Sequence, residues 1–251
     1  MLSAQRRQQI LQRLEQEGTI SVAALSREWG LSEDTLRRDL RDLAEEGLIQ
    51  RVHGGALPRS PALGAYPLRQ ALSPEIKSRL GRAAAALIRP GQVVGMDGGT
   101  STLCLVQALP PELAFTLVTH SPLIAAALET RPLVETILLG GRLFRHSMVA
   151  VGSETAEALQ RLRLDLWFLG ATGLHPEVGV TTGDWEEAAI KRAFCQASAE
   201  TYLLLTPEKL GAAAPYRIVG ADRLTGLVAP RETEEDRLKP YRELGLEIVL
   251  A

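Results

Sequence analysis

Residues 93–102 read Val-Val-Gly-Met-Asp-Gly-Gly-Thr-Ser-Thr, and this stretch decides the fold class. Val93–Met96 is a short apolar run of the kind that forms a buried strand, and the glycines after it end the strand. A helical pattern, Ser101–Leu109, follows at once. Strand, glycine turn and helix open a βα unit, and the backbone N–H groups of such a turn can approach an anion closely. Gly98 and Gly99 permit that approach, Thr100, Ser101 and Thr102 add hydroxyl donors, and Asp97 adds an acceptor for sugar hydroxyls. A plain glycine-rich turn fits the same residues, because the stretch lacks the lysine of a P-loop.

Outward from this unit the pattern repeats. Apolar runs at Phe115–Thr119, Thr136–Leu139, Leu164–Leu169, Tyr202–Leu205, Ile218–Val219 and Glu247–Leu250 alternate with helical segments. Those segments are Lys77–Ile88, Ser101–Leu109, Pro122–Leu128, Ser153–Leu159 and Glu186–Ala199. Alternation of this kind predicts an α/β domain over residues 74–251, with a mainly parallel sheet covered on both faces. Ligands bind such sheets beyond the carboxyl ends of the strands. Candidate site residues at those ends are Thr119, His120 and Ser121, Gly141, Thr172 and Gly173, and Lys209. Glu187 and Lys191, four apart on one helix, fit either an ordinary surface pair or a place in the site, with Lys191 as a point charge for phosphate.

Before residue 58 the hydrophobic pattern is mainly helical. A first helix is predicted over Gln5–Glu17, a short strand over Thr19–Ser21, and a second helix, capped by Ser21, over Val22–Trp29. Ser32 caps a third helix running to about Glu46, with Leu36, Leu40 and Leu43 on one stripe. Two helices around a tight glycine turn form a helix-turn-helix pattern, and the first turns of its second helix reach base edges in the major groove. Ser32, Thr35, Arg37, Arg38 and Arg41 occupy that position. Residues 49–57 read as two short strands around His53-Gly54-Gly55, a wing from which Arg51 and His53 would meet phosphate or the minor groove. The whole of residues 1–57 forms one unit, and residues 58–73, punctuated by Pro58, Pro61, Gly64 and Pro67, read as a linker.

Charge alone does not announce nucleic acid. Net charge is −2, and residues 1–60 hold nine Arg and no Lys against nine acidic residues, so basic groups must act locally. A neutral three-helix unit would serve protein–protein contact equally well. Cys104 and Cys195 lie far apart without metal-ligand spacing and read as small buried apolar residues in a reducing compartment. No metal or cofactor is expected. The first ten residues are too polar for a signal peptide and no apolar run approaches the roughly 20 residues of a membrane span, so a cytoplasmic protein is expected.

The N-terminal residues resemble the signature of the DeoR family of regulators. Arg6, Ile10 and Leu14, then Ser32 and Thr35-Leu-Arg-Arg-Asp-Leu40, then Arg51-Val-His-Gly-Gly-Ala56 carry the resemblance. It extends over about residues 74–232 through Asp97–Thr102, Thr119–Ser121, Gly140-Gly141, Gly152, Asp165–Gly173, Gly179–Thr182, Glu187–Arg192 and Lys209-Leu-Gly211. The resemblance implies a winged helix-turn-helix repressor of sugar-metabolism genes that binds double-stranded operator DNA; because operators are usually read by symmetric assemblies, a homodimer or homotetramer is expected. It implies a second domain similar in fold to ribose-5-phosphate isomerase and CoA transferases, with the Gly-Thr-Ser-Thr loop and nearby lysines holding a phosphorylated sugar as allosteric effector. Gly170–Gly173 stands where the isomerase acids would be, so sensing rather than catalysis is expected. Two departures are His120, in place of the usual Asn, and Thr206-Pro-Glu-Lys209, in place of Asp-Ser-Ser-Lys. Pro207 removes a backbone donor and Glu208 adds negative charge.

Overall fold

A computed structural model describes residues 2–60, 64 and 66–251. In the N-terminal part, α1 (Ser3–Glu17), β1 (Ile20–Ser21), α2 (Val22–Trp29) and α3 (Glu33–Glu45) precede a hairpin of β2 (Ile49–Val52) and β3 (Gly55–Pro58). Ser21 and Ser32 act as the expected caps, accepting from the backbone N–H of Ala24 and of Thr35, each at 3.3 Å. The Leu36–Leu40–Leu43 stripe joins Ile10, Leu14, Leu25 and Ile49 in one core. The strands form an antiparallel sheet in the order β1-β3-β2. At Gly55 a Cβ would lie 1.7 Å from the carbonyl oxygen of Ile20, so only glycine lets the wing pair with β1.

The stretch expected as a linker carries a helix, α4 (Tyr66–Ala71), and Arg59 forms a parallel bridge with Ala213. Pro61, one of the residues on which the linker reading rests, lies outside the described residues. Pro67 falls within the first turn of α4, where a missing N–H costs the helix nothing.

The larger part builds a seven-stranded sheet from β4 (Val93–Met96), β5 (Phe115–Thr119), β6 (Val134–Leu138), β9 (Leu164–Gly170), β12 (Ser198–Leu204), β14 (Gly226–Ala229) and β15 (Glu247–Leu250). Their order is β15-β14-β12-β9-β4-β5-β6, and every neighbouring pair is parallel. Around them lie α5 (Pro74–Ala85), α6 (Thr100–Gln107), α7 (Pro122–Ala127), α8 (Ser153–Gln160), α9 (Trp185–Ala197) and α10 (Glu235–Glu243). Strand β9 shows why the sheet is covered on both faces: Leu166 and Phe168 join a core with Leu80 and Leu105, while Trp167 and Leu169 join another with Phe194 and Leu238. Trp167 stacks on Phe194 with ring centroids 4.0 Å apart.

Four short strands were not foreseen: β7 (Arg142–Phe144) pairs with β8 (Val149–Val151), and β10 (Gly173–His175) with β11 (Gly179–Thr182). The run at Ile218–Val219 becomes β13 (Tyr216–Val219), which leaves the main sheet and pairs antiparallel with β11. The main-sheet strand β14 and helix α10 also lay outside the predicted elements. Cys104 and Cys195 are free and half buried, less enclosed than the small buried apolar residues expected. Burial still pushes the Cys195 thiol up to about 12, which leaves it unreactive at neutral pH.

Chain order sets the position of the site. The chain steps from β4 through β5 to β6, then returns to place β9 on the other side of β4. The carboxyl ends of β4 and β9 therefore flank the point where the winding reverses, the crevice in which open α/β sheets bind ligands.

Candidate functional site

On the N-terminal domain, Arg38, Arg41, Arg51 and His53 are exposed, as are Ser32 and Arg37, and Thr35 is half buried. Most of the domain's other arginines are committed: Arg6 to Asp39, Arg7 to Glu46, Arg13 to Glu17 and Glu28, and Arg59 to the Gly47 carbonyl. Arg37 pairs with Glu33 one turn back at 2.8 Å. Among the described residues Arg38, Arg41 and Arg51 make no side-chain hydrogen bond or ion pair. A formally neutral domain thus concentrates its uncommitted guanidinium groups on the third helix and the wing. Arg37, Arg51 and His53 converge on a groove of about 230 Å³ between α3 and the wing tip. Ser32 exchanges a hydrogen bond with Thr35 at 2.9 Å, which orients both hydroxyls at the start of α3.

Beneath this face Asp39 is buried, and Arg6 grips it through both Nε and, at 3.0 Å, a terminal nitrogen. The hydrogen bonds that Arg6 donates to Asp39 hold its guanidinium above its ordinary pKa against the cost of burial. The pair staples α1 to α3, a role sequence reading did not assign to either residue.

In the larger domain a cavity of about 340 Å³ opens at the winding reversal. Asp97 through Thr102 line one part of it, Gly170 to Thr172 another, with Glu187 and Lys191 from α9 and Lys209 from a single 3-10 turn. Gly98 is required here: a Cβ would lie 2.3 Å from Val149 and 3.1 Å from Ser121. No side chain caps α6, so the N–H groups of its first turn stay available to a ligand. The Thr102 hydroxyl is buried without a partner.

The cavity floor is a charge network. Asp97 receives Lys191 at 2.9 Å, the Gly170 N–H at 2.9 Å and His120 Nε2 at 3.1 Å. Burial alone would raise the Asp97 carboxyl; Lys191 and His120 reverse this and hold it far below the usual carboxylate range. Lys191 also meets Glu187 at 3.3 Å and the Gly170 carbonyl at 2.8 Å, and Glu187 accepts from the Thr182 hydroxyl at 2.6 Å. Burial disfavours the Lys191 ammonium, but the two carboxylates keep it above its ordinary pKa. The Glu187–Lys191 pair is therefore buried in the site rather than solvated on a surface, and the lysine's charge is already matched twice.

Lys209 is different: among the described residues its ammonium has no hydrogen bond or ion pair. Burial pushes it down to about 8, opposed by Glu208 and reinforced by Arg69, Lys77 and Lys191. Glu208 is exposed and held by the Thr206 hydroxyl at 2.6 Å, outside the cavity wall. The Thr206–Lys209 departure thus keeps its lysine on the cavity and turns its added acid away.

Of the expected ligand residues, Asp97, Gly98, Gly99, Thr100, Ser101, Thr102, Thr172, Glu187, Lys191 and Lys209 come together on the cavity. Thr119, His120, Ser121, Gly141 and Gly173 do not line it. Thr119 donates to the Met96 carbonyl, Ser121 to that of Met148, and His120 packs edge-on against Phe194 with its ring fully buried. These three support the floor from below. Sequence reading missed Arg59, Arg69, Phe144, His146 and Ser147, which line the cavity from the connecting segment and the β7–β8 hairpin. Among the described residues no three His, Cys, Asp or Glu gather into a metal-binding cluster, and no helix is long and apolar enough to cross a membrane.

A winged helix-turn-helix carried on a parallel-sheet domain with a polar cavity at its winding reversal defines a class, the DNA-binding regulators that couple a duplex-reading unit to a small-molecule pocket. The DeoR-like helix-turn-helix model matches residues 6–61 and the DeoR C-terminal sensor model residues 73–230. The chain belongs to the DeoR family and is a transcriptional regulator. It is 31% identical to the HTH-type transcriptional regulator GlpR of Haloferax volcanii over 99% of this chain and 98% of that one. It is 32% identical to the glycerol-3-phosphate regulon repressor of Escherichia coli K12 over 84% of each. Among solved structures, ribose-5-phosphate isomerase A of Methanocaldococcus jannaschii is 14% identical, with a TM-score of 0.41 over 54% of each chain.

Proposed function

We propose that the protein is a homo-oligomeric repressor of sugar-metabolism genes whose grip on operator DNA is set by a phosphorylated sugar held in the 340 Å³ cavity. What supports this reading is one pairing of features. The cavity joins an uncapped helix N-terminus, with its hydroxyl-bearing first turn, to Lys209, whose ammonium makes no ion pair among the described residues. Oriented N–H groups and a free ammonium recognise phosphate, while Thr172 and the hydroxyls of α6 suit sugar hydroxyls. The glycerol-3-phosphate relative carries a phosphorylated polyol in its name, in line with that chemistry.

The DNA side rests on Arg38, Arg41 and Arg51, exposed on α3 and the wing. A recognition unit of this size covers one half-site, so two copies related by a twofold axis would read a palindrome. An effector shifts operator affinity only by binding the two conformations unequally. The decisive experiment is a melting-temperature screen of the full chain with glucose 6-phosphate, fructose 6-phosphate and glycerol 3-phosphate beside their unphosphorylated parents. At least one phosphorylated compound is expected to stabilise the protein and its parent not to; stabilisation by neither would remove the reading.

A further inference from the structure

We propose that Arg69, on α4 between the two domains, is an anion-binding residue of the cavity, so that a bound phosphate grips the connecting segment as well as the sensor domain. The inference rests on the sugar-phosphate reading above and adds to it a residue from outside the sensor domain's matched span.

Arg69 lines the cavity beside Lys209. One terminal nitrogen donates to the His146 carbonyl at 3.0 Å, and the guanidinium lies 5.5 Å from the Tyr66 ring centroid. Its Nε is shut off from solvent and has no hydrogen-bond partner. Among the described residues no carboxylate pairs with Arg69; Asp97 and Glu187 act on it across the cavity but are already bound to Lys191. A half-buried guanidinium that lines the cavity, with one terminal nitrogen on a carbonyl and no carboxylate partner among the described residues, is an incomplete fork, and a phosphate oxygen arriving in the cavity completes it.

The backbone beneath Arg69 is deliberately fixed. Lys77, itself buried, spends its ammonium on the carbonyls of Arg69 and Leu72, clamping the C-terminal end of α4. The same segment reaches the recognition helix, because Arg59, which also lines the cavity, donates to the Gly47 carbonyl just past α3 at 2.8 Å. An anion held by Arg69 is therefore two short chain stretches from the element that reads DNA.

The test uses inorganic phosphate as probe on the full chain, with Arg69→Gln, Arg69→Lys and, as control, the exposed Arg89→Gln. Arg69→Gln is expected to weaken phosphate binding about tenfold, and Arg69→Lys about threefold, since lysine keeps the charge but loses the fork. Arg89→Gln should bind as the parent does. Hydrogen exchange supplies a second readout: phosphate should slow the amides of residues 68–72 in the parent and not in Arg69→Gln. Should Arg69→Gln fail to fold, Arg69→Lys and the exchange of the parent chain carry the test. Parent-like affinity in Arg69→Gln, or protection confined to residues 98–102, overturns the role of Arg69 while leaving the sugar-phosphate reading intact. No stabilisation of the parent by any phosphorylated compound overturns both.

Discussion

Each domain buries one cluster of charge, and the two are built on different plans. In the DNA-binding domain Arg6 and Asp39 form a buried pair, with Ser3 adding a weak bond to Asp39 at 3.3 Å, and its task is to fasten one helix to another. In the sensor domain Asp97, Lys191, Glu187, His120 and the Gly170 backbone form an open network whose members also hold the ends of β4 and β9. A pair can be exchanged as a unit for apolar side chains of similar volume. A network that has backbone groups among its partners cannot, because apolar substitutes leave those groups unsatisfied. The pair is mortar; the network shapes the cavity by absorbing Lys191 and leaving Arg69 and Lys209 without a paired carboxylate among the described residues.

The comparison breaks most visibly at Lys191. Lys191→Met leaves Asp97 and Glu187 buried without their cation and should cost about 3–5 kcal/mol, read as a lower urea midpoint for the sensor domain. Arg6→Met should cost about 2–3 kcal/mol, since only one buried carboxylate is left unpaired and Ser3 still donates to it. Its double variant with Asp39→Leu should recover most of that loss. No double substitution at Lys191 and Asp97 should do so, and a full recovery there would erase the distinction.

A third test compares exposed with buried charge. Arg38→Ala should weaken operator binding by about 1–2 kcal/mol and lower the salt slope by about one, without moving the melting temperature. An unchanged slope would take Arg38 off the DNA. The smallest effect is expected at Lys209, whose folded pKa is lowered to about 8 by burial. Below that pH the ammonium is charged, so phosphate affinity should be greatest between about pH 6, where the second phosphate proton leaves, and pH 8. Above pH 8 affinity should fall about fivefold, or ~1 kcal/mol, measured by calorimetry. A flat profile to pH 9 would mean that Lys209 does not meet the anion.

The sequence disclosed the two domains unequally, for physical reasons. The winged helix-turn-helix is assembled from contiguous elements, so its caps Ser21 and Ser32, its Leu36–Leu43 stripe and its wing were all legible from local pattern. The parallel strands β4, β5 and β15 matched their apolar runs to the residue. Strand β14 escaped because Gly226–Ala229 is four residues long with only two large apolar side chains. Helix α10 escaped because its surface is mostly charged and Pro240 interrupts it. The Asp97–Thr102 loop was found because one stretch carries strand, turn and helix start together. Thr119, His120 and Ser121 occupy an equivalent strand end, yet nothing in their local pattern tells that Asp97 and Phe194 draw them under the floor. Arg59 and Arg69 were invisible for the opposite reason: prolines around them spelled linker, and only long-range packing brings them to the cavity.

The bridge between Arg59 and Ala213 lies one residue beyond Pro58, where the wing strand ends. The wing strand thereby meets the sensor backbone within one residue of its own end. Element shifts in switching proteins commonly span about 1–2 Å, which is about a third to three fifths of the roughly 3.4 Å step between successive bases. A displacement of that size at this bridge, passed along β3, would set the wing tip between two positions on the duplex, as one division on a vernier scale falls between two marks.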